Sequence, residues 1–310
     1  MTDFIVLSGG FLAAGVRVAT PLLLAATGET IAERAGVINL SIEGAMLCGA
    51  LAAAIGATAG GPWTGVACAI LAGIALAAMF AAVAVGAGAD QIITGTALTL
   101  LATGLTGAVY RSFYGTGGAG LSLPTFPVLA IPVLHRIPIL GPGGFHQSIL
   151  TYLAYVAVPV TWWALFRTRW GLALRATGES VPAAVAAGVR VQRLRALAVV
   201  IGGGFAGLAG ASLVLAQVGT FAEQMTAGRG FVAIAIVVLG GWHPPRVAVA
   251  ALLFGCATAL QYLFQALGLE VPYQLFLMFP YVLTLLALGG MVGRVSPPAE
   301  LGKPEPRPQG

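Results

Sequence analysis

Between Arg34 and Arg111 this chain carries only two charged side chains, Glu43 and Asp90. A stretch that long and that apolar cannot be folded in water, because too few polar groups are available to cover its surface. The rest of the chain follows suit: charged residues make up 8% of 310 residues, hydrophobic ones 58%, and mean hydropathy is +0.95. Soluble domains carry about 25% charged residues. The chain therefore reads as an integral membrane protein. With about 20 apolar residues per spanning helix, it has room for about nine spans, within a range of roughly eight to ten. The expected fold is an all-α, polytopic transmembrane helical bundle with no space for a separate soluble catalytic domain.

The apolar runs place the spans. The first, Phe4 to Ala26, holds Arg17 and Pro21. No basic segment precedes it and no clean A-x-A site follows, so it is expected to be a retained span and not a signal peptide. A polar break at Gly28–Arg34 separates it from spans at Ala35–Ala59, Pro62–Gly88 and Gln91–Tyr110. Residues 111–147 form the longest connection. Its prolines preclude a spanning helix, although Val128–Leu140 has the composition of a short surface helix. Further spans fall at Ser148–Phe166, Ala196–Val218, Val247–Leu267 and Tyr273–Met291. The run Phe231–Gly241 has only 11 residues, too few for about 30 Å of hydrocarbon at about 1.5 Å per residue. Two readings stay open for it: extension through Thr226–Gly230, or a re-entrant half-helix. Residues 1–293 make the membrane domain, and the Pro-rich residues 294–310 are expected to be a disordered tail.

Charge sets the orientation. Six of the 14 arginines lie within 167–195, and basic loops are retained on the cytoplasmic side. That loop, Gly28–Arg34 and the tail are therefore expected inside, with the N-terminus and residues 111–147 outside. Arginines gathered beside apolar spans do not form the folded basic face that nucleic acid requires, which excludes that partner despite a net charge of +5.

Several chemistries are excluded by what is missing. A phosphate-cradling P-loop needs G-x-x-x-x-G-K-[ST], and the single lysine, Lys303, precedes Pro304. The only aspartates are Asp3 and Asp90, too few for a hydrolase triad. His135, His146 and His243 lack metal-ligand spacing and read as solvated loop residues. Cys48, Cys68 and Cys256 lie inside apolar runs, scattered too widely for a disulfide framework, and read as small buried residues. No catalytic residue, cofactor site or metal site is expected. Transport, a channel or a membrane scaffold remain.

Polar residues inside the spans are few, and so they point to function. Asn39, Ser41 and Glu43 lie near the start of the second span; Glu43 is able to line a path, receive a donor, or start the helix near the headgroups. Gln91, Thr94, Thr96 and Thr99 mark a polar side of the fourth span, where threonine hydroxyls can return to the preceding turn. Gln217, Glu223 and Gln224 flank the outer end of the sixth. Mid-span carboxylates are too scarce for a proton relay, which favours an energy source outside the chain. Gly203, Gly207 and Gly210 allow close helix approach, either within one subunit or between two.

The inside loop RTRWGLALRATGESVPAAVAAGVRVQRLRALA holds more pattern than orientation requires. An amphipathic helix after Gly171, a turn at Thr177–Ser180 and a second helix, Val181–Ala187, closed by Gly188, make a small-sided docking element. Four segments then carry a family likeness. AERAGVINLSIEGAMLCGA, LRATGESVPAAVAAGVRV, MTAGRGFVAIAIVVLGGWHP and VPYQLFLMFPYVLTLLAL, in this order, resemble the inner-membrane permease subunits of bacterial ABC importers. The group serves branched-chain amino acids, simple sugars and nucleosides, and the likeness, over about residues 15–290, is greatest to the shorter of two paired nucleoside permeases. The resemblance implies that Arg175, Gly178, Glu179, Pro182, Ala183, Ala184, Gly188 and Val189 belong to the loop receiving the ATPase, a short cytoplasmic coupling helix. It implies that Asn39, Ser41 and Glu43, with Met225 and Phe231, lie near the translocation path, to which Gln91 and Thr94 are added from the polar side of the fourth span. It also implies a second, homologous permease, a separate ABC ATPase subunit that uses the ATP, and a substrate-binding lipoprotein outside. The expected function is a permease subunit passing a nucleoside or simple sugar. The alternative is an ATPase-independent secondary transporter or facilitator of a small neutral solute.

Overall fold

Backbone polar groups inside lipid must bond within the chain, which leaves helices as the economical way to bury this composition. The computed structural model describes residues 2–115, 122–131, 140–266, 278, 282 and 296–303. Among them, seven helices are long and apolar enough to cross a membrane. In chain order the elements are α1 (Thr2–Arg34), α2 (Ile42–Gly60), α3 (Pro62–Phe80), α4 (Gln91–Tyr114), β1 (Val128–Ala130), α5 (Leu140–Gly144), β2 (His146–Ser148), α6 (Ile149–Arg167), α7 (Arg169–Glu179), α8 (Val181–Ala186), α9 (Val191–Leu213), α10 (Arg229–Leu239) and α11 (Pro244–Ala266). Single π-helical turns extend α3 over Ala81–Gly86 and α9 over Val214–Val218. Local chemistry starts the helices: Asp90 accepts from Ile92 N and Ile93 N, Ser148 from Leu150 N and Thr168 from Gly171 N.

The bundle has two distinct ends. One carries the arginine loop: Arg195 and Thr177 bond the Ala35 carbonyl, and Glu300 N donates to Gly178 O. The other carries the 111–148 connection. There Leu123 N donates to Gly219 O, Arg111 pairs with Glu223 at 3.6 Å, and β1 pairs antiparallel with β2 in the register Leu129 opposite Gln147.

Glycines weld the centre. A Cβ on Gly207 would strike Ala69 O, one on Gly203 would strike Ala77 Cβ, and one on Gly210 would strike Met46 O. The small residues of α9 therefore serve packing against α2 and α3 within this chain. Around that contact lie Leu24, Met46, Phe80 and Ile236, each almost fully buried.

Several expectations are corrected. The polar stretch Gly28–Arg34 is no break: α1 continues to Arg34, and the interruption falls at residues 35–41. Thr27 and Thr30 return their hydroxyls to Leu23 O and Ala26 O at 2.7 Å, so the turn carries its polarity internally. In place of a surface helix at Val128–Leu140, residues 128–130 are a strand; residues 132–139 lie outside the described set, as does His135. The turn expected at Thr177–Ser180 is reduced to Ser180, because α7 runs through Gly178 to Glu179. Part of the tail is folded: Gly302 N donates to Gly36 O, and Gln91 Nε2 to Lys303 O. Residues 304–310 lie outside the described set, and so does the span expected at Tyr273–Met291 apart from Met278 and Val282. Cys68 is exposed on the helix surface instead of buried.

Candidate functional site

The polar chemistry of this bundle collects where its helices break. Residues 35–41 leave the end of α1 and turn into the interior. By Leu40 they lie beside Thr99, whose hydroxyl donates to Leu40 O at 3.1 Å. Thr99 is eight residues along α4 from its start, about 12 Å deep at the helical rise. Irregular backbone at that depth is tolerated only inside protein or along a wet cavity. The second break, residues 219–228, comes in from the hairpin end, and the third, residues 240–243, leaves at the arginine end. Between these two lies α10, 11 residues long. The segment from Gly219 to Trp242 thus passes from one end of the bundle to the other as an irregular half followed by a half-helix. The extension expected through Thr226–Gly230 is helical only over Arg229 and Gly230. Gln224, Ala227 and Trp242, the non-glycine residues with positive φ among those described, all flank α10, and such backbone strain gathers at working sites.

Each break is held by a buried carboxylate. Glu43, in the first turn of α2, accepts from Thr226 Oγ1 at 2.6 Å, Gly228 N at 2.8 Å and Gly230 N at 2.6 Å. Two of these donors are the orphan amides at the start of α10, which an anion suits both by bonding and by the helix dipole. Glu29 Oε1 accepts from Asn39 N at 2.9 Å. Asn39 Oδ1 in turn accepts from Ser41 N and Ser41 Oγ. Glu33 Oε2 accepts from Trp242 Nε1, while Glu33 Oε1 has no partner among the described residues. All three carboxylates are under 10% exposed. Glu29 and Glu33, expected in a polar break, lie instead in the last two turns of α1 and face the core. Their four-residue spacing, which puts Glu29 and Glu33 on one face of α1, was the available signal.

Arginines tie the breaks to the loop. Arg34 Nε donates to Trp242 O at 2.8 Å. Arg195, 1% exposed, joins Ala35 O at 3.0 Å to Thr177 O at 3.2 Å. The Arg34 and Arg175 guanidiniums lie 5.6 and 4.8 Å from the Phe166 ring centre, within cation–π range. His243 also sits 5.0 Å from Phe166, with Nδ1 buried and unpartnered among the described residues, so it is not a solvated loop residue. Burial first, then the charges of Arg246 and Arg34, hold its pKa below the ordinary imidazole value.

The loop residues divide by exposure. Gly178 is buried where a Cβ would meet Arg34 O. Ala184 is 1% exposed and faces its own protein. Pro182, Ala183, Val185, Ala186, Ala187 and Gly188 form the open face of α8. Gly188 has φ +78° and ends the helix, its N–H on Val185 O, while Val189 N reaches Ala184 O. Glu179 is exposed, and Ser180 takes the capping part. Of the remaining candidates, Gln91 accepts from Ile38 N at 2.9 Å and is buried, as is Thr94. Met225 is half-buried, and Phe231 is 45% exposed on α10. The structure thus brings Glu43 to the start of α10, between Met225 and Phe231 in the chain, bonds Asn39 to Ser41 and Glu29, leaves Gln91 at the arginine end, and keeps Thr96 on the opposite, exposed face of α4.

Comparison with known proteins gives the same picture of ancestry. The family model of the branched-chain amino acid transport system permease component matches residues 11–288. The putative glucose ABC transporter permease protein TsgC13 of Haloferax volcanii is 45% identical over 85% of this chain and 80% of its own. The guanosine ABC transporter permease protein NupQ of Bacillus subtilis is 36% identical over 92% and 93%. The nucleoside ABC transporter permease protein NupC of Lactococcus lactis is 32% identical over 90% and 91%. No solved structure matches. With most of its length inside the family match and seven candidate spans among its described residues, the chain belongs to the permease-component family of branched-chain amino acid transport systems and is a multi-pass inner-membrane protein.

Proposed function

We propose that this chain is the membrane subunit through which an ATP-driven importer passes a nucleoside or a simple sugar. One observation carries the reading: the open alanine face of α8 stands on a buried seat, Gly178, Thr177 and Arg195, bonded directly to the end of α1. Force applied by a partner at α8 is thereby delivered to Arg34, and through Trp242 to α10. The relatives named for glucose, guanosine and nucleosides supply the substrate class. A separate ABC ATPase at α8, a second permease beside this one and a binding lipoprotein at the opposite end complete the assembly.

In this reading the chain crosses the bilayer nine times. The eight passages from α1 to α11 begin with the N-terminus outside, and the apolar run Tyr273–Met291 supplies the ninth, in keeping with Glu300 beside Gly178 at the arginine end. The arginine end is cytoplasmic by its charge. The breaks around α10, with Asn39, Ser41, Glu43, Met225 and Phe231, border the path. A proton-coupled carrier needs a titratable group open to that path, whereas Glu29, Glu33 and Glu43 each hold donors of this chain. The test is purification of the tagged chain from its native membrane together with uptake of labelled guanosine and glucose in a deletion strain. Co-purification of a P-loop ATPase and loss of one uptake are expected; uptake unchanged for both solutes, with no ATPase recovered, overturns the proposal.

A further inference from the structure

The function above leaves Arg17 without a task. It lies inside the first span, 17 residues before Arg34, about 25 Å from the arginine end at the helical rise. That distance sets its backbone about 5 Å inside the far edge of about 30 Å of hydrocarbon, from which an arginine side chain reaches the headgroups. No hydrogen bond or ion pair engages its guanidinium among the described residues, and its side chain is exposed. It lines a cavity of about 470 Å³ with Thr20, Gln147, Ser148, Thr151 and Gln217. Among the described residues no carboxylate lines this cavity, and Arg17 is the cation amid neutral hydroxyl and amide groups.

The walls are built rather than incidental. Pro21 lacks the amide that would bond Arg17 O, and Gln217 Nε2 takes that carbonyl instead at 2.6 Å. Gln147, 2% exposed, is held by its Nε2 donating to Gly143 O at 2.8 Å and Ala13 O at 3.2 Å. Thr20 and Thr151 bond each other at 3.1 Å. Thr20 also belongs to a second hollow of about 320 Å³. This one is a groove between α1, α6 and α11, lined by Val16, Leu23, Val158, Pro159, Ala248 and Leu252. A polar chamber with an unpaired cation and an apolar groove running toward the bilayer centre thus lie on either side of Thr20, which lines both.

We propose that the two hollows together hold one phospholipid, its phosphate on Arg17 and an acyl chain in the groove between α1, α6 and α11. The polar chamber answers the phosphate by charge, since a guanidinium is the side chain best matched to it. The groove answers the chain by hydrophobicity, and Thr20, which lines both hollows, stands where the glycerol of such a lipid would pass. A free phosphate would use the chamber alone, and a neutral sugar would need neither the charge nor the groove. The proposal rests only on the chain being a membrane protein, so its failure leaves the transport reading untouched.

The test measures phospholipid retained by the full-length protein after detergent washing, using native mass spectrometry, and its thermal midpoint on adding back phosphatidylglycerol, a phosphate-free galactolipid, inorganic phosphate or ribose. Phosphatidylglycerol is expected to stay bound and raise the midpoint, with little response to the other three. Arg17→Gln should weaken phosphatidylglycerol binding about tenfold, Arg17→Lys should keep most of it, and Ala248→Phe, filling the groove from its half-open rim, should displace the lipid while leaving Arg17 in place. Size-exclusion elution shows whether each variant is folded. Equal stabilisation by the galactolipid, by phosphate alone or by ribose overturns the proposal, as does undiminished lipid retention in a folded Arg17→Gln protein.

Discussion

Single side chains decide how this fold tolerates broken helices. Glu43 takes three donors in the interior, so Glu43→Ala strands two backbone amides and a hydroxyl. A loss of about 3 kcal/mol is expected, read as a lower thermal midpoint in detergent, with Glu43→Gln recovering about half through its single remaining oxygen. Arg195 spans two carbonyls from different segments. Arg195→Lys offers a point donor in place of a fork and should cost about 2 kcal/mol; an unchanged midpoint would remove it from the clamp. His243 gives the pH prediction. Its folded pKa lies below the ordinary value of 6.5, so the unfolded chain binds the proton more readily. Stability is then undiminished above pH 6.5 and falls as the pH drops from there toward the folded value. His243→Gln should flatten that fall, and an identical acid slope in the variant would assign it elsewhere.

At the scale of elements, helix-to-helix and loop-to-helix contacts depend on missing side chains. Gly207→Ala places a methyl on Ala69 O and must part α9 from α3, at an expected cost of about 2 kcal/mol or more from overpacking. The docking loop separates two failures that would look alike in a transport assay. Gly178→Ala drives its methyl into Arg34 O and should loosen the seat of α7, so ATPase binding survives while transport and ATP hydrolysis lose their coupling. Ala183→Arg alters only the exposed face of α8. It should leave the thermal midpoint unchanged and release the ATPase during purification. Equal retention of ATPase in both variants would leave α8 as an orienting loop only. A bulky change at Ala184 would not serve this purpose, because Ala184 faces its own protein.

For the whole molecule the expected arrangement is two faces with opposite access. With Cys48, Cys68 and Cys256 replaced by alanine, a cysteine at Gly188 should resist an impermeant maleimide in intact cells and react once the membrane is opened. A cysteine at His146, exposed in β2, should react in intact cells. The reverse pattern would invert the orientation and move the arginine loop outside.

The sequence by itself determined the membrane class, the family likeness, the main spans and the short capped helix of the arginine loop, because these depend on local quantities. A run of apolar residues must leave water wherever it lies in the chain, and Pro182 and Gly188 punctuate α8 by their own backbone preferences. Whether a polar residue ends a helix or hides inside one is not local. Gly28–Arg34 reads as a break until Asn39 N and Trp242 Nε1 are known to meet Glu29 and Glu33. Glu43 remains open among three readings until residues 183 or more positions away in the chain bring their donors to it. Only the tertiary structure decided where the helices break and which carboxylates hold the breaks, because a buried charge is tolerable only when distant parts of the chain supply its donors.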